Sequence, residues 1–219
     1  RIRKRIPVGG GLGGGSSDAA AVLRGVNRMW GKGLSLGQLL ELGARLGSDV
    51  PAMVLGGAVL AEGRGERVRP VLEGTEAGRA RWWGVVAHPG FGISTADIYR
   101  RYTPPLTDGA EFYNNLRLAL TTGDAHLAGR SLYNGLEETV FRKYPLLRLI
   151  VEGFRAEGAL GVLVSGSGSS VFALAENEAE ARRLRQRLEE RVEAACWSRV
   201  VQTMPDGVMA AHDPLEVRV

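Results

Sequence analysis

Residues 7–21 read Pro-Val-Gly-Gly-Gly-Leu-Gly-Gly-Gly-Ser-Ser-Asp-Ala-Ala-Ala, and six of them are glycine. Before this stretch, apolar residues in partial alternation predict a strand over Arg1 to Val8. After it, apolar residues at helical spacing and a run of alanines predict a helix over Ala19 to Trp30. The predicted apolar face of that helix consists of Val22, Val26, Met29 and Trp30. The glycines therefore lie in a loop that joins a predicted strand to a helix N-terminus.

A glycine-rich loop at a helix N-terminus suits the binding of a phosphate group. The first turn of a helix has backbone N–H groups without intrahelical partners, and glycine lets an anion approach the backbone closely. Ser16, Ser17 and Asp18 are all favoured helix-capping types, and a serine hydroxyl can also face a metal ion. The alternative is a turn that merely joins two elements.

Two common phosphate-binding loops do not fit this stretch. It lacks the Gly-Lys-Ser/Thr ending of a Walker A loop. No acidic residue lies at a predicted strand end about twenty residues later, as a dinucleotide-binding fold requires.

The composition narrows the class of protein. The chain has 219 residues, a formal charge of +4 and 44% hydrophobic residues, which suits a globular protein with its own core. No basic face interleaved with aromatic residues predicts nucleic-acid binding, and no apolar run is long enough to span a membrane. A single cysteine, Cys196, excludes an internal disulfide and a Cys/His metal cluster, in agreement with a reducing cytoplasm. We therefore expect a cytoplasmic protein that acts on an anionic small molecule. The composition leaves the choice between a monomer and a homodimer open.

The order of predicted elements divides the chain in two. A capping box at Ser35 begins a second helix, and two strands flank a hairpin turn over residues 62–65. Further on we predict a buried strand over 82–87 and helices over 111–121, 124–130 and 145–157. From Leu160 the pattern is strand, tight loop, strand, long helix and strand, which is typical of a ferredoxin-like α/β sandwich. We predict an α+β protein with a boundary in the polar segment 74–81 and domains over residues 1–80 and 81–219.

Three further places carry candidate functional residues. Asp49 precedes Val50-Pro51, where an aspartate more often caps a helix than acts in catalysis. The second glycine-rich loop, Ser165 to Ser170, lies between two apolar strands and fits a ligand-binding loop and a hairpin turn equally. Thr95 and Tyr99 share one face of a predicted short helix.

Other conspicuous side chains are interpreted as structural. His88 stands before Pro-Gly at a strand end, a place where a lone histidine is seldom catalytic. The residues expected in the core are Trp30, Trp82, Trp83 and Trp197.

Together these motifs resemble those of the GHMP small-molecule kinases. Residues 7–20 are similar to the family's ATP loop, residues 46–51 to its Gly-Ala-Asp-Val-Pro signature, and residues 165–170 to its third motif. The triple glycine Gly13 to Gly15 looks most like members that act on a cytidine diphosphate derivative of methylerythritol. The resemblance implies two domains, an incomplete N-terminal part like ribosomal protein S5 domain 2 and a ferredoxin-like C-terminal domain.

The resemblance also implies roles for particular residues, with ATP and Mg²⁺ as cofactors and metal ligands left open. Asp49 would be the catalytic base, whereas Asp18 lies inside the loop and is expected to cap the helix. The implied ATP-binding residues are Pro7, Val8, Gly9, Gly10, Gly11, Leu12, Gly13, Gly14, Gly15, Ser16 and Ser17. The implied substrate-binding residues are Thr95, Tyr99, Gly166, Ser167 and Gly168. Tyr99 would stack on the cytosine base, and a tyrosine that fills the domain interface is the alternative.

Part of the implied site has no match in this sequence. The family's catalytic lysine and the Tyr-His pair that grips cytosine belong to an N-terminal segment, so we expect roughly eighty to ninety residues before Arg1. Two alternatives stay open. One is a family member that acts on homoserine or a mevalonate derivative, and the other is a nucleotide-binding fragment without activity of its own.

Overall fold

The computed structural model describes residues 2–72, 80–104, 110–192 and 196–204. The chain forms two compact units. The sheet unit comprises Arg1–Leu12 and Ala80–Thr203, and the helical unit comprises Gly13–Arg79 and Met204–Val219. The predicted boundary segment 74–81 lies largely outside the described residues, and the division into residues 1–80 and 81–219 stays a prediction.

The described part of the helical unit contains three helices and a hairpin. The helices are α1 (Gly14–Met29), α2 (Leu36–Leu46) and α3 (Val50–Leu55), and strands β1 (Val59–Glu62) and β2 (Arg67–Pro70) pair antiparallel. The capping box at Ser35 is confirmed, because the Ser35 hydroxyl accepts the Gln38 N–H and the Gln38 side chain accepts the Ser35 N–H. The predicted second helix and hairpin are therefore correct.

Two expectations at the start of the chain are wrong. Residues 2–8 form no strand, because they have no ladder partner within the described ranges. The buried face of α1 is formed by Ala20 with Ala19 and Leu23 beside it, which pack against residues of α2 and α3. The sequence predicted a different apolar face, but three of its residues are strongly exposed: Val22, Met29 and Trp30. Trp30 is not a core residue, because it follows the last helical residue and lies off the alanine-bearing face.

The sheet unit is built around a four-stranded antiparallel sheet. Its strands are β3 (Trp83–His88), β4 (Gly161–Val164), β5 (Val171–Ala175) and β6 (Trp197–Gln202). Their spatial order is β4-β5-β3-β6, so the first strand of the unit lies between the third and the fourth. This is the strand order of a ferredoxin-like sandwich, and the prediction of that fold is confirmed.

Helices cover both faces of this sheet. They are α4 (Thr95–Arg101), α5 (Ala110–Thr122), α6 (Ala125–Arg130), α7 (Glu137–Lys143), α8 (Pro145–Ala156) and α9 (Glu178–Arg191). The main core lies between the sheet and α7, α8 and α9, and it includes Val85, Val140 and Phe154. A smaller core joins Trp82 and Leu174 to α5 and α6. Trp82 is therefore buried as expected, while Trp83 and Trp197 are half-buried.

The sequence did not predict α7. This helix has only seven residues, but its first turn carries Glu137 and Glu138 and its last turn Arg142 and Lys143. That charge order complements the helix dipole and is the signal that could have revealed it. Among all the described residues, no helix has the length and apolar composition needed to span a membrane.

Candidate functional site

The two glycine-rich loops meet within the sheet unit. The Gly10 carbonyl accepts a hydrogen bond from the Ser170 N–H at 2.9 Å. The Gly11 carbonyl accepts one from the Ser165 hydroxyl, also at 2.9 Å. The Gly9 carbonyl accepts the Ile93 N–H at 3.2 Å. Main-chain contacts therefore fix residues 9–11 of the first loop against the second loop.

Glycine is required at this contact by the packing of the protein itself. A Cβ atom on Gly11 would lie 2.2 Å from the Ser165 carbonyl oxygen, and Gly11 has a φ of +74°. A Cβ atom on Gly10 would lie 2.7 Å from Cδ2 of His88 and 2.8 Å from the Ser170 hydroxyl. These two glycines allow the loops to touch.

The first turn of α1 is uncapped and open. Helix α1 begins after Gly13, which has a left-handed φ of 63° and offers no side-chain cap, and the first turn contains no acidic residue. A Cβ atom on Gly15 would meet no heavy atom of the described chain within 4 Å. Helices α2 and α9, in contrast, are capped by the side chains of Ser35 and Asn177. As far as the described residues go, the start of α1 therefore has the uncapped N–H groups and the space that an anion needs.

The predicted capping residues do not cap this helix. Ser16, Ser17 and Asp18 all lie inside α1, since the helix begins at Gly14. Glycine can adopt the left-handed conformation that precedes the helix, so the chain enters α1 earlier than the polar residues suggested.

Asp49 lies at the start of α3 in the same helical unit. It occupies the N-cap position, but its side chain makes no cap hydrogen bond and is exposed. The Met53 N–H donates to the Asp49 carbonyl at 3.3 Å, one turn later. A Cβ atom on Gly13 would lie 2.5 Å from the Met53 methyl group, so α3 packs against the start of α1. The expected capping role of Asp49 is absent, and its carboxylate lies one turn from a residue that touches the glycine loop.

The second glycine-rich loop is a tight connection between the paired strands β4 and β5. The Ser165 N–H donates to the Ser170 carbonyl at 2.8 Å, and the Gly168 N–H donates to the Ser165 carbonyl at 2.9 Å. Gly166 is exposed, whereas Ser167 and Gly168 are buried. The loop is thus a hairpin connection, and it also contacts the first loop.

The candidate substrate residues of α4 reach this loop through one hydrogen bond. The hydroxyls of Thr95 and Ser167 lie 2.9 Å apart, which brings together two residues that the sequence singled out separately. Tyr99, one turn after Thr95, is 59% exposed. Between them, the Asp97 carboxylate binds Lys143, Arg100 and Arg101, which lowers the pKa of Asp97 well below its ordinary value. Lys143 belongs to α7, so this ion pair ties α4, the helix that carries Thr95, to α7.

Asn134 and Glu137 support the second loop and were missed in the sequence. The Asn134 side chain donates to the carbonyls of Val164 and Gly166 at 2.9 and 2.8 Å. The Glu137 carboxylate accepts the Val164 N–H at 3.0 Å. Burial raises the pKa of Glu137, although the Val164 N–H and the Arg155 guanidinium act in the opposite direction. Only the fold brings these two residues to β4, thirty positions later in the chain.

His88 is buried beneath the contact between the loops. Its Nδ1 accepts the Gly90 N–H at 3.1 Å, so the neutral ring carries its proton on Nε2. Burial lowers the pKa of His88. Within the described chain, its Nε2 and the Ser170 hydroxyl are both buried without a hydrogen-bond partner. The burial of His88 agrees with the structural role expected from the sequence.

Comparison with known proteins identifies the family. The family model "GHMP kinases N terminal domain" matches residues 1–57, and the model "GHMP kinases C terminal" matches residues 116–194. A solved structure of 4-(cytidine 5'-diphospho)-2C-methyl-D-erythritol kinase is 35% identical, with a TM-score of 0.72, and the match covers 92% of this chain and 69% of that one. The chain belongs to the GHMP kinase family. The resemblance of its motifs, the α+β fold class and the ferredoxin-like domain are thereby confirmed.

Curated relatives of this GHMP kinase carry one recurring name. A 4-diphosphocytidyl-2-C-methyl-D-erythritol kinase of Brevibacillus brevis is 43% identical over 84% of this chain and 61% of its own length. A kinase of the same name from Pelotomaculum thermopropionicum is 41% identical over 85% of this chain and 63% of its own length. The chain thus spans about three fifths of the length of these relatives.

A more distant structure shares the fold. Homoserine kinase from Cytophaga hutchinsonii has a TM-score of 0.74 over 92% of this chain and 68% of its own, at 23% identity. At that identity the likeness shows the GHMP fold and carries no argument about the substrate.

Proposed function

We propose that this GHMP kinase transfers the γ-phosphoryl group of ATP to the 2-hydroxyl of 4-diphosphocytidyl-2-C-methyl-D-erythritol, a step in non-mevalonate isoprenoid precursor synthesis. The choice of substrate is supported by a curated relative of that name at 43% identity and by a solved structure of that name at 35% identity. The structural observation that best supports phosphoryl transfer is the first turn of α1. It is uncapped and open, and it lies beside the contact of α1 with α3.

The proposed phosphate site is the first glycine-rich loop. Backbone N–H groups at Gly14, Gly15 and Ser16 have no side-chain cap and would hold the ATP phosphates, and residues 7–12 would complete the loop. The positive end of the α1 dipole adds to this attraction. The chain thus contributes positioning and charge stabilisation, which are the main requirements of phosphoryl transfer.

Asp49 is the proposed base. Its carboxylate is exposed and forms no hydrogen bond within the described residues, so it is available to accept a proton from the substrate hydroxyl. The hydroxyl oxygen then forms the new bond to the γ-phosphorus as ADP leaves. Asp49 would orient the substrate hydroxyl even if the proton leaves only after the bond to phosphorus has begun to form.

The proposed substrate contacts are Thr95, Tyr99, Gly166, Ser167 and Gly168. The exposed ring of Tyr99 is the candidate for stacking on cytosine. In the Thr95–Ser167 pair only one hydroxyl donates to the other, which leaves the second hydroxyl hydrogen for a ligand. Gly168 contributes through its backbone, because a Cβ atom there would meet Ile93 at 3.2 Å.

Mg²⁺ is the proposed metal, and it would neutralise charge on the ATP phosphates. No group of three or more His, Cys, Asp or Glu residues in the described ranges is arranged to hold a metal ion. This fits a magnesium ion held largely by substrate phosphates and water, with the Ser16 or Ser17 hydroxyl as candidate protein ligands. A cytoplasmic location and a monomer or homodimer complete the proposal.

The decisive test is Asp49→Asn in the protein expressed from its natural coding sequence. We expect turnover to fall by about 10²- to 10⁴-fold, the usual contribution of a general base. ATP affinity and unfolding free energy should stay near the wild-type values, because the side chain is exposed and unbonded. Steady-state kinetics, calorimetry with ATP and urea unfolding measure the three quantities.

Glu41→Gln is the matched control, since Glu41 is an exposed carboxylate on α2 of the same unit. It should leave all three quantities unchanged. Retained turnover in Asp49→Asn would remove Asp49 from the mechanism. A cytidine nucleotide that fails to protect the protein against heat would instead favour a homoserine or mevalonate kinase.

A further inference from the structure

A polar cavity lies in the sheet unit along the outer edge of β4. Its volume is about 520 Å³, which is within the range of small-molecule sites. The walls come from the end of α6, residues 132–135, α7, and Gly161–Leu163 of β4. None of the residues proposed above to bind ATP or substrate lines it.

The charges around this cavity are unbalanced. Three arginines line it, Arg130, Arg142 and Arg155, against the carboxylates of Glu137 and Glu138. Both carboxylates have other partners, since Glu137 accepts the Val164 N–H and Glu138 pairs with Arg148 outside the cavity. In the part of the chain that the structure describes, the side chains of Arg130 and Arg155 form neither a hydrogen bond nor a salt bridge. The cavity lining therefore carries one more guanidinium than carboxylate, and neither Arg130 nor Arg155 has a hydrogen-bonded anion in the described residues.

The edge of β4 adds backbone groups to the same cavity. β4 is the terminal strand of the sheet, so alternate residues direct their N–H and C=O groups away from β5. At Val164 these outward groups bind Glu137 and Asn134. Val162, two residues earlier, directs its own N–H and C=O to the same side and lines the cavity. An occupant would thus find a backbone donor beside the arginines.

We propose that this cavity binds a small organic anion with two or more phosphate or carboxylate groups, and that binding is linked to the second glycine-rich loop through Asn134 and Glu137. Guanidinium groups bind both kinds of oxyanion through paired hydrogen bonds. Asn134 and Glu137 both line the cavity, and both bind Val164 just before the loop. An anion that shifts either side chain therefore acts directly on the backbone of that loop.

Calorimetry with inorganic pyrophosphate and with citrate tests the binding and separates phosphate from carboxylate. We expect saturable binding of one or both at one site per chain. Arg155→Gln and Arg130→Gln should each weaken it by about tenfold, the value of one charge-assisted hydrogen bond. Undiminished binding in both variants would locate the anion elsewhere, for example at the first glycine-rich loop, and would overturn the proposal. So would the absence of saturable binding by either probe.

Two matched variants control for charge. Arg182→Gln removes an arginine of α9 that pairs with Glu178 and does not line the cavity, and it should bind as the wild type does. Glu137→Gln keeps an oxygen for the Val164 N–H but removes a negative charge, so it should bind the anion more tightly. Weaker binding in Glu137→Gln, or weakening in Arg182→Gln equal to that in Arg155→Gln, would count against the site.

Amide NMR tests the link to the loop. Pyrophosphate or citrate, whichever binds, at the concentration that half-saturates the wild type should shift the amide signals of Ser165 and Gly166 there and shift them far less in Arg155→Gln. Binding without such shifts would overturn the linkage. No ATP or turnover enters these measurements, so their outcome is independent of the kinase activity proposed above.

Discussion

Gly11 and Gly15 belong to one glycine-rich stretch, but the structure requires them for different reasons. A Cβ atom on Gly11 would lie 2.2 Å from the Ser165 carbonyl oxygen, whereas one on Gly15 would meet no described residue within 4 Å. Protein packing therefore explains the first glycine and leaves the second unexplained. An unexplained glycine in the first turn of an uncapped helix is what a phosphate-binding loop needs, since the ligand itself fills the space. The contrast separates structural glycines from candidate ligand-binding glycines within a single motif.

Gly11→Ala should produce the largest change in stability. The substitution combines a left-handed backbone, φ +74°, with a collision against main-chain oxygen, so the free energy of unfolding should fall by about 3 kcal/mol. Urea unfolding followed by tryptophan fluorescence measures it, because Trp82 and Trp83 lie in the sheet unit.

Gly166→Ala is the control for backbone strain in that experiment. Gly166 has a φ of +57°, but the atom nearest to its added Cβ is the Gly11 carbonyl oxygen at 3.8 Å. It should therefore lose only about 1 kcal/mol. Equal losses in the two variants would mean that the loops do not touch as described.

Asn134→Ala should destabilise the second loop by about 2 kcal/mol. The carbonyls of Val164 and Gly166 both lose their donor, and Val164 is buried, so water cannot easily replace the lost hydrogen bond. The same unfolding assay measures it. Asn114→Ala on α5 is the control, since its side chain is exposed. A loss below about 0.5 kcal/mol in Asn134→Ala, the range of ordinary surface changes, would show that Asn134 does not hold this loop.

Gly15→Ala should separate binding from stability. Alanine is favoured over glycine in a helix, so the unfolding free energy should stay equal or rise by up to about 1 kcal/mol. ATP should bind more weakly in calorimetry, because the methyl group fills the proposed phosphate space. Gly25→Ala makes the matched change in the same helix, also with no neighbour within 4 Å in the described ranges, and should leave ATP affinity unchanged. Wild-type affinity in Gly15→Ala would place the phosphates elsewhere.

Local signals in the sequence predicted much of this architecture. The capping box at Ser35 and the strand-loop-strand pattern after Leu160 depend on neighbouring residues and were predicted correctly. The buried face of α1 was predicted wrongly. Helices α2 and α3 pack closely against small residues such as Ala20, while the larger Val22 stays exposed. Small residues at a close helix contact give a weak hydrophobic pattern.

The candidate site shows the same limit of sequence patterns. Both glycine-rich loops and Asp49 stood out as motifs, but the roles of Asn134 and Glu137 depend on contacts with Val164 that only the fold creates. The pattern also misplaced the start of α1, because a left-handed glycine replaced the expected polar cap.

The smallest expected effect concerns His88, which lies beneath the contact that Gly10 and Ser170 make between the loops. Burial lowers the pKa of His88 in the folded state, so the unfolded chain binds the extra proton more readily as the pH falls through about 6.5. Stability should therefore be complete above that pH and decline below it.

In His88→Asn, where the Oδ1 atom can still accept the Gly90 N–H, this part of the decline should disappear. Urea unfolding at pH 7.5 and pH 5.5 measures the difference between the two proteins, and other titrating groups cancel in that difference. His126→Asn on α6, an exposed position, should keep the wild-type decline. Parallel curves for the wild type and His88→Asn would show that the ring accepts a proton in the fold as easily as outside it, and that the loop contact does not depend on a neutral imidazole.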